Sequence, residues 1–173
     1  MNNILDDAKE TDQYVLRPMV GGDLAAVLKM RNQYNTRRYM KNSEIILIKE
    51  HKDWFEKKQF NADCELLVYL MNRNIVGFAQ YELKPGSRAV EWGFYKDENS
   101  ERGIGLKLGK SVIEHIFTNT AVDSIIGEVI QANLKSVRFH LKLGFVKESV
   151  LAKQYCTAGN DFDTVRMILF RPA

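Results

Sequence analysis

Cysteine is scarce in this chain: there are two, Cys64 and Cys156, far apart and without a Cys-x-x-Cys pairing. That excludes a disulfide framework and a thiolate metal site, and predicts reduced thiols that stand outside any chemistry. The three histidines, His51, His115 and His140, show no ligand spacing, so no metal is expected. No apolar run approaches the roughly 20 residues that cross a bilayer. Residues 1–13 read as a polar, acidic leader rather than a signal peptide, which predicts a cytoplasmic protein with no membrane partner. Charge of one sign is lacking too. Twenty-five Lys and Arg against 22 Asp and Glu leave a net +3, too mild for nucleic acid but suited to small anionic ligands. No repeat, linker or low-complexity segment divides the sequence, so residues 1–173 are expected to form a single domain with a full core.

What is present alternates between two periods. Tyr14 to Met19 reads as a strand. Asp23 is placed to cap a helix carrying Leu24, Val27 and Leu28 and ending near Arg31-Asn32. Gln33 to Asn42 has no clean period, and a second helix spans about Lys49 to Gln59. Strands follow at Glu65 to Met71, Ile75 to Leu83 and Ala89 to Tyr95, joined by turns at Asn72-Arg73-Asn74 and Pro85-Gly86. Ile104, Leu108, Val112, Ile113, Ile116 and Phe117 then recur at helical spacing. Ile125 to Ile130 is an apolar strand of the kind covered on both faces. Asn133 caps a last helix that stops at Gly144, and Phe145 to Val150 and Phe162 to Phe170 close the chain as strands. The order predicts a mixed α/β fold in which an antiparallel meander runs into one right-handed crossover.

The richest stretch is Asn99 to Ser111, where Gly103 and Gly105 stand between a strand and a long helix. Such a turn leaves N–H groups unpaired at the positive end of a helix, a seat for phosphate. A Walker A loop ending in Gly109-Lys110-Ser111 needs a glycine where Ile104 stands, and a dinucleotide fingerprint starting at Gly103 needs one at Leu108. Both fail on spacing. Ser100-Glu101-Arg102-Gly103-Ile104-Gly105 resembles instead the Arg/Gln-x-x-Gly-x-Gly/Ala acetyl-coenzyme A loop of the GCN5-related N-acetyltransferases (GNAT), with Ser100 in place of the usual basic or amide residue. Asn133-Leu134-Lys135-Ser136 and Lys142-Leu143-Gly144-Phe145 resemble that family's second signature.

The resemblance implies the GNAT fold, a mixed, mostly antiparallel seven-stranded sheet flanked by four helices. It implies acetyl-CoA as cosubstrate, no metal, and direct transfer in a ternary complex; a homodimer is compatible with it. Arg102, Gly103, Ile104, Gly105 and Leu106 would hold the cofactor, with Asn133, Ser136 and Lys142 on the last helix and the main chain of Phe94 and Tyr95. Asn133, Ser136 and His140 share one helical face, and Leu134, Val137 and Leu141 are expected to face the core from the opposite one. His140 stands where the family usually carries a tyrosine that protonates the departing thiolate. It is a general acid, a neutral hydrogen-bonding group or a buried histidine. Glu128, inside an apolar run, and Glu91, on the strand before the glycine turn, compete as general base, with Glu128 preferred.

Arg31-Asn32, Tyr39-Met40-Lys41, His51-Lys52-Asp53-Trp54 and Gly93-Phe94-Tyr95 are similar to the N-acetyltransferases of pseudaminic acid biosynthesis, whose acceptor is the 4-amino group of a UDP-linked 4-amino-4,6-dideoxy-N-acetyl-altrosamine. That implies a nucleotide-sugar substrate lined by Arg31, Met40, Lys41, His51 and Trp54. Cations suit a diphosphate and aromatic surface suits a sugar or uracil. The other readings are a solvated basic turn beside core aromatics, an acetyltransferase acting on protein or peptide N-termini, and a non-catalytic CoA-binding module.

Overall fold

The computed structural model describes residues 13–157 and 160–172; the acidic leader and the side chain of Cys156 lie outside the described residues. Seven strands form one mixed sheet in the order β1-β2-β3-β4-β5-β7-β6: β1 (Tyr14–Pro18), β2 (Cys64–Met71), β3 (Asn74–Leu83), β4 (Ala89–Lys96), β5 (Ser124–Ile130), β6 (Val146–Thr157) and β7 (Asn160–Phe170). All neighbouring pairs are antiparallel except β4 with β5. Five α-helices flank the sheet: α1 (Leu24–Asn32), α2 (Tyr34–Arg37), α3 (Ile48–Lys58), α4 (Ile104–Asn119) and α5 (Leu134–Lys142). Four of them are the expected helices. The single turn of α2 falls in the stretch without a period, since one turn is too short to show one.

β2 explains why these strands read as continuous apolar runs. Leu66 and Val68 bury against α1 and α3 with Met19, Val27, Met30, Phe55 and Phe78, whereas Leu67 and Tyr69 join Leu108, Val112 and Ile116 of α4. Successive side chains point to opposite faces, so a strand covered on both sides has no polar position to alternate. Each face contributes a separate core.

The turns follow their residues. Asn72 and Arg73 take φ of 50° and 69°, the paired left-handed values of a tight hairpin, and Gly144 leaves α5 at φ 92°. Two local expectations need correction. Asp23 does not cap α1; its carboxylate accepts from the Val20 N–H at 2.9 Å and pairs with Arg17 at 2.7 and 2.8 Å, closing the preceding 3-10 turn. Leu134 and Leu141 face solvent, at 58% and 52% exposure, and only Val137 of the expected core stripe packs inward. The packed side of α5 is the side that carries His140, whose ring meets those of Trp92, Phe94, Phe139 and Phe145.

Candidate active site

β4 and β5 are the key to the site. They pair only from Ala89 with Ser124 to Trp92 with Gly127. Beyond that point β4 continues against β3 as far as Lys96, and β5 continues against β7 as far as Ile130. The two strands therefore part at Trp92 and Gly127. Alternate residues of Gly93–Lys96 turn N–H and C=O groups into the opening, which must be met by a ligand or by water.

The first turn of α4 closes one end of this cleft. Gly103 adopts φ 97°, a left-handed conformation that costs any residue with a Cβ, and it stands at the N-cap. Ile104 is buried at 1% exposure, so only its main chain can reach a ligand; Gly105 and Leu106 are half-buried, and Arg102 is exposed. A Cβ on Gly105 would lie 3.6 Å from both Lys96 Cδ and Phe139 Cε2, an ordinary van der Waals distance, so this turn packs against the end of β4 and against α5. Lys96 was not among the sequence candidates. Its ammonium donates to Ser100 Oγ and to the Asp97 carbonyl, each at 2.9 Å. A cation from the end of β4 thus rests on Ser100, the position where the resembled loop carries a basic or amide residue. Burial and the nearby Lys135 lower its pKa against the pull of Asp97. Lys96→Ala is expected to raise the KM for acetyl-CoA about tenfold, the worth of one charge-assisted hydrogen bond; unchanged KM would remove Lys96 from the site.

On the other wall, Asn133 accepts from the Ser136 N–H at 3.1 Å and caps α5, with both residues half-buried beside the opening. Lys142 is exposed at the far end of the helix, away from them. His140 is 3% exposed. Trp92 Nε1–H donates to its Nε2 at 3.2 Å, and its Nδ1 lies 2.8 Å from the Ser136 carbonyl. An indole only donates and a carbonyl only accepts, so the proton sits on Nδ1 and the ring is neutral. Burial lowers its pKa, opposed by the Ser136 bond.

The two carboxylates stand at different places on the sheet. Glu91 lies within the paired segment and is ion-paired with Lys84. Glu128 is the first residue of β5 past the parting point, in register with Arg166 of β7, which itself pairs with Glu148 at 2.8 Å.

α1, α3 and the loop between them form the far wall. Arg31, 9% exposed, donates from Nη2 to the Asn42 carbonyl at 2.6 Å, while its buried Nη1 has no partner. Among the described residues no carboxylate pairs with it. His51, 4% exposed, stacks on Trp54 with centroids 4.9 Å apart, and its buried Nε2 also has no partner. Tyr95 of β4 lies against Phe78 at 5.0 Å, and burial raises its pKa, against the nearby Arg31 charge, so its hydroxyl stays protonated. The structure thus brings Arg31, His51, Trp54 and Tyr95 together. Met40 is half-buried and Lys41 exposed on the same loop as Asn42, and Phe55 is core. Gln33 joins this wall to the cleft: it donates to Asp97 at 2.8 Å and accepts from the Glu98 N–H at 3.0 Å. Sequence periodicity had no signal for that bridge, because its partners are distant in the chain.

Burial lowers the pKa of both His51 and His140 from 6.5, with Arg31 adding to the effect at His51. The unfolded chain therefore takes up protons below pH 6.5 that the folded chain refuses. Stability is complete above that pH and falls as pH drops, by up to about 1.4 kcal/mol per pH unit for each histidine. Urea midpoints measured between about pH 7 and pH 5 check this; a flat midpoint would mean that neither ring is buried neutral.

A family model described as an acetyltransferase (GNAT) domain matches residues 13–146. No curated protein matches the sequence. Among solved structures, a spermidine N-acetyltransferase from Vibrio cholerae in complex with CoA and spermine is similar at TM-score 0.83 and 22% identity, over 91% of this chain and 95% of that one. A ribosomal-protein-alanine N-acetyltransferase from Brucella melitensis is similar at 0.78 and 22%, over 91% and 99%. A Salmonella typhimurium protein solved with its cofactor acetyl-CoA is similar at 0.74 and 21%, over 91% and 93%. Parted parallel strands, a left-handed glycine at the mouth of α4 and a match across most of the chain converge: this protein belongs to the GNAT acetyltransferase family and is an acetyl-CoA-dependent N-acetyltransferase.

Proposed function

We propose that the protein acetylates the 4-amino group of a UDP-linked 4-amino-4,6-dideoxy sugar, the acceptor of the pseudaminic acid pathway enzymes that its N-terminal third resembles. The observation that carries the reading is Arg31, a buried guanidinium whose Nη1 has no hydrogen-bond partner and which no carboxylate pairs among the described residues, near His51, whose Nε2 likewise has no partner among them. Buried charge is costly unless paired, so this wall is built to receive an anion, as a diphosphate would supply. It suits polyamines poorly, since Arg31 would repel a cationic acceptor.

Acetyl-CoA, held by the main chain of 103–106, Lys96, Asn133 and Ser136, supplies the activated acetyl group. Main-chain N–H groups of the Phe94–Tyr95 edge stabilise negative charge on the carbonyl oxygen. Glu128, the first residue of β5 past the parting point, takes the amine proton through a water. Glu91 stays bound to Lys84 and out of the reaction. Glu128→Gln is expected to lower kcat about 100-fold and Glu91→Gln less than about threefold, read from initial rates of CoA release. The reverse ranking would exchange their roles.

The acceptor is tested by offering UDP-4-amino-4,6-dideoxy sugars, N-terminal peptides and spermidine side by side and following CoA release. Turnover of the UDP-sugar above the others is expected. Turnover of peptide or spermidine alone would defeat the assignment, and acetyl-CoA binding without any turnover would make the chain a binding module.

A further inference from the structure

His140 lies where α5 meets the ends of the β4–β5 pairing. Trp92 is the last residue of β4 that pairs with β5, and Gly127 is its partner. A Cβ on Gly127 would lie 2.6 Å from His140 Nε2 and 2.9 Å from Trp92 Nε1, so the imidazole rests directly on the Gly127 backbone. Its edge meets Trp92 at 5.6 Å and Phe145 at 5.0 Å, both near perpendicular, and Phe94 and Phe139 lie 5.7 and 5.9 Å away. From β4 the ring is faced by Trp92 and Phe94, from β5 by Gly127, from its own helix by Phe139 and the Ser136 carbonyl, and from the turn just before β6 by Phe145. None of these is charged.

We propose that His140 is a positioning residue that latches α5 to the point where β4 and β5 part, and so fixes the cleft that admits the acetyl-CoA arm. Through Ser136 the same ring is tied to the first turn of α5, where Asn133 and Ser136 border that cleft. The proton of the neutral ring points at the Ser136 carbonyl, and Nε2, which faces Trp92, has none to give. The residue therefore acts through shape rather than by proton transfer. Protonation of Nε2 would set two donors against each other across 3.2 Å and release the latch. The inference rests on acetyl-CoA use alone and is independent of the acceptor.

The test reads the latch without turnover first. In a Trp54→Phe background, used for fluorescence only, Trp92 is the single tryptophan. Its emission is expected to be quenched by imidazolium with a midpoint below pH 6.5, and the transition is expected to vanish when His140→Phe is added. A midpoint at or above 6.5, or no transition, would overturn the latch. Calorimetric binding of CoA then distinguishes the roles. Trp92→Phe, which removes the donor together with the five-membered ring that carries it, and His140→Phe are each expected to weaken CoA about tenfold and flatten the acid-side loss of affinity. His140→Gln, whose carboxamide oxygen can accept the indole N–H, is expected to return to within about threefold of the native affinity. In steady state the loss falls on the KM for acetyl-CoA rather than on kcat. A fall in kcat of about 100-fold or more with CoA affinity unchanged would overturn the proposal and make His140 a proton donor. Should His140→Phe fail to fold, Trp92→Phe and His140→Gln decide alone: native CoA affinity and native pH dependence in Trp92→Phe would end it.

Discussion

Alanine at position 127 is expected to destabilise the protein by about 2–3 kcal/mol and to weaken CoA binding at least tenfold, although the change adds one methyl group. The added carbon would meet the His140 ring at 2.6 and 2.9 Å and the Trp92 indole nitrogen at 2.9 Å. Neither ring can yield easily. The imidazole is held by the Ser136 carbonyl and walled by Phe139 and Phe145, and the indole stacks on Phe145 with centroids 5.2 Å apart. Relief must come from moving α5 or opening the sheet where the cleft begins. Gly109→Ala is the informative contrast. There the new carbon meets Leu143 Cδ1 at 2.7 Å and Phe139 Cζ at 2.9 Å, the outer ends of side chains. Alanine also favours the helix over glycine by about 1 kcal/mol, which offsets part of the clash. Urea unfolding with CoA calorimetry on both variants checks the ranking. A Gly127→Ala protein as stable and as tight as the native one would mean that the parting point is not held by the packed rings.

Arg31→Met is expected to move stability and function in opposite directions. The guanidinium is buried, its Nη1 is unsatisfied, and burial together with Arg37 lowers its pKa against the pull of Tyr95. Replacing it with an apolar side chain of similar length removes an unpaired buried charge at the loss of one bond to the Asn42 carbonyl. A gain of about 1 kcal/mol in unfolding free energy follows. The acceptor, on the proposed reading, loses its anion partner, and its kcat/KM falls about 100-fold, equivalent to about 2.7 kcal/mol, with the KM for acetyl-CoA unchanged. Thermal melts and acceptor kinetics on one preparation read both effects. If the variant is less stable and its acceptor kinetics are native, Arg31 is only a clamp for the 38–47 loop.

Much of the architecture was legible because it rests on local pattern. Hairpin residues at Asn72-Arg73 and Pro85-Gly86, the helical spacing of Ile104 to Phe117, the Asn133 cap and the Gly144 exit all appear where their side chains or φ preferences demand. Spacing rules also separated the 99–111 turn from two other phosphate loops. In the structure Gly109, which looks like the tail of one of them, is a point of close approach between α4 and α5.

The site was legible in part. Arg31, His51 and Trp54 could be named from short motifs, but not that two of their nitrogens would be buried without partners. The Lys96 ammonium beside this loop has no signal in the motif, because it reaches Ser100 from four residues upstream through a contact that no spacing rule describes. His140 shows the limit most clearly. Its place on the polar stripe of α5 was read from helical period, yet period says nothing about which stripe meets the sheet. The sequence by itself determined the strands, the four longer helices, the glycine turn and the family, since these depend on residues close in the chain. Only the tertiary structure decided that β4 and β5 part at Trp92 and Gly127 and that His140 is a neutral ring seated on that point. It also decided that Arg31 is a buried cation with no counter-ion among the described residues. Those properties arise from burial and from partners about 35 to 50 positions away, where propensity and spacing carry no information.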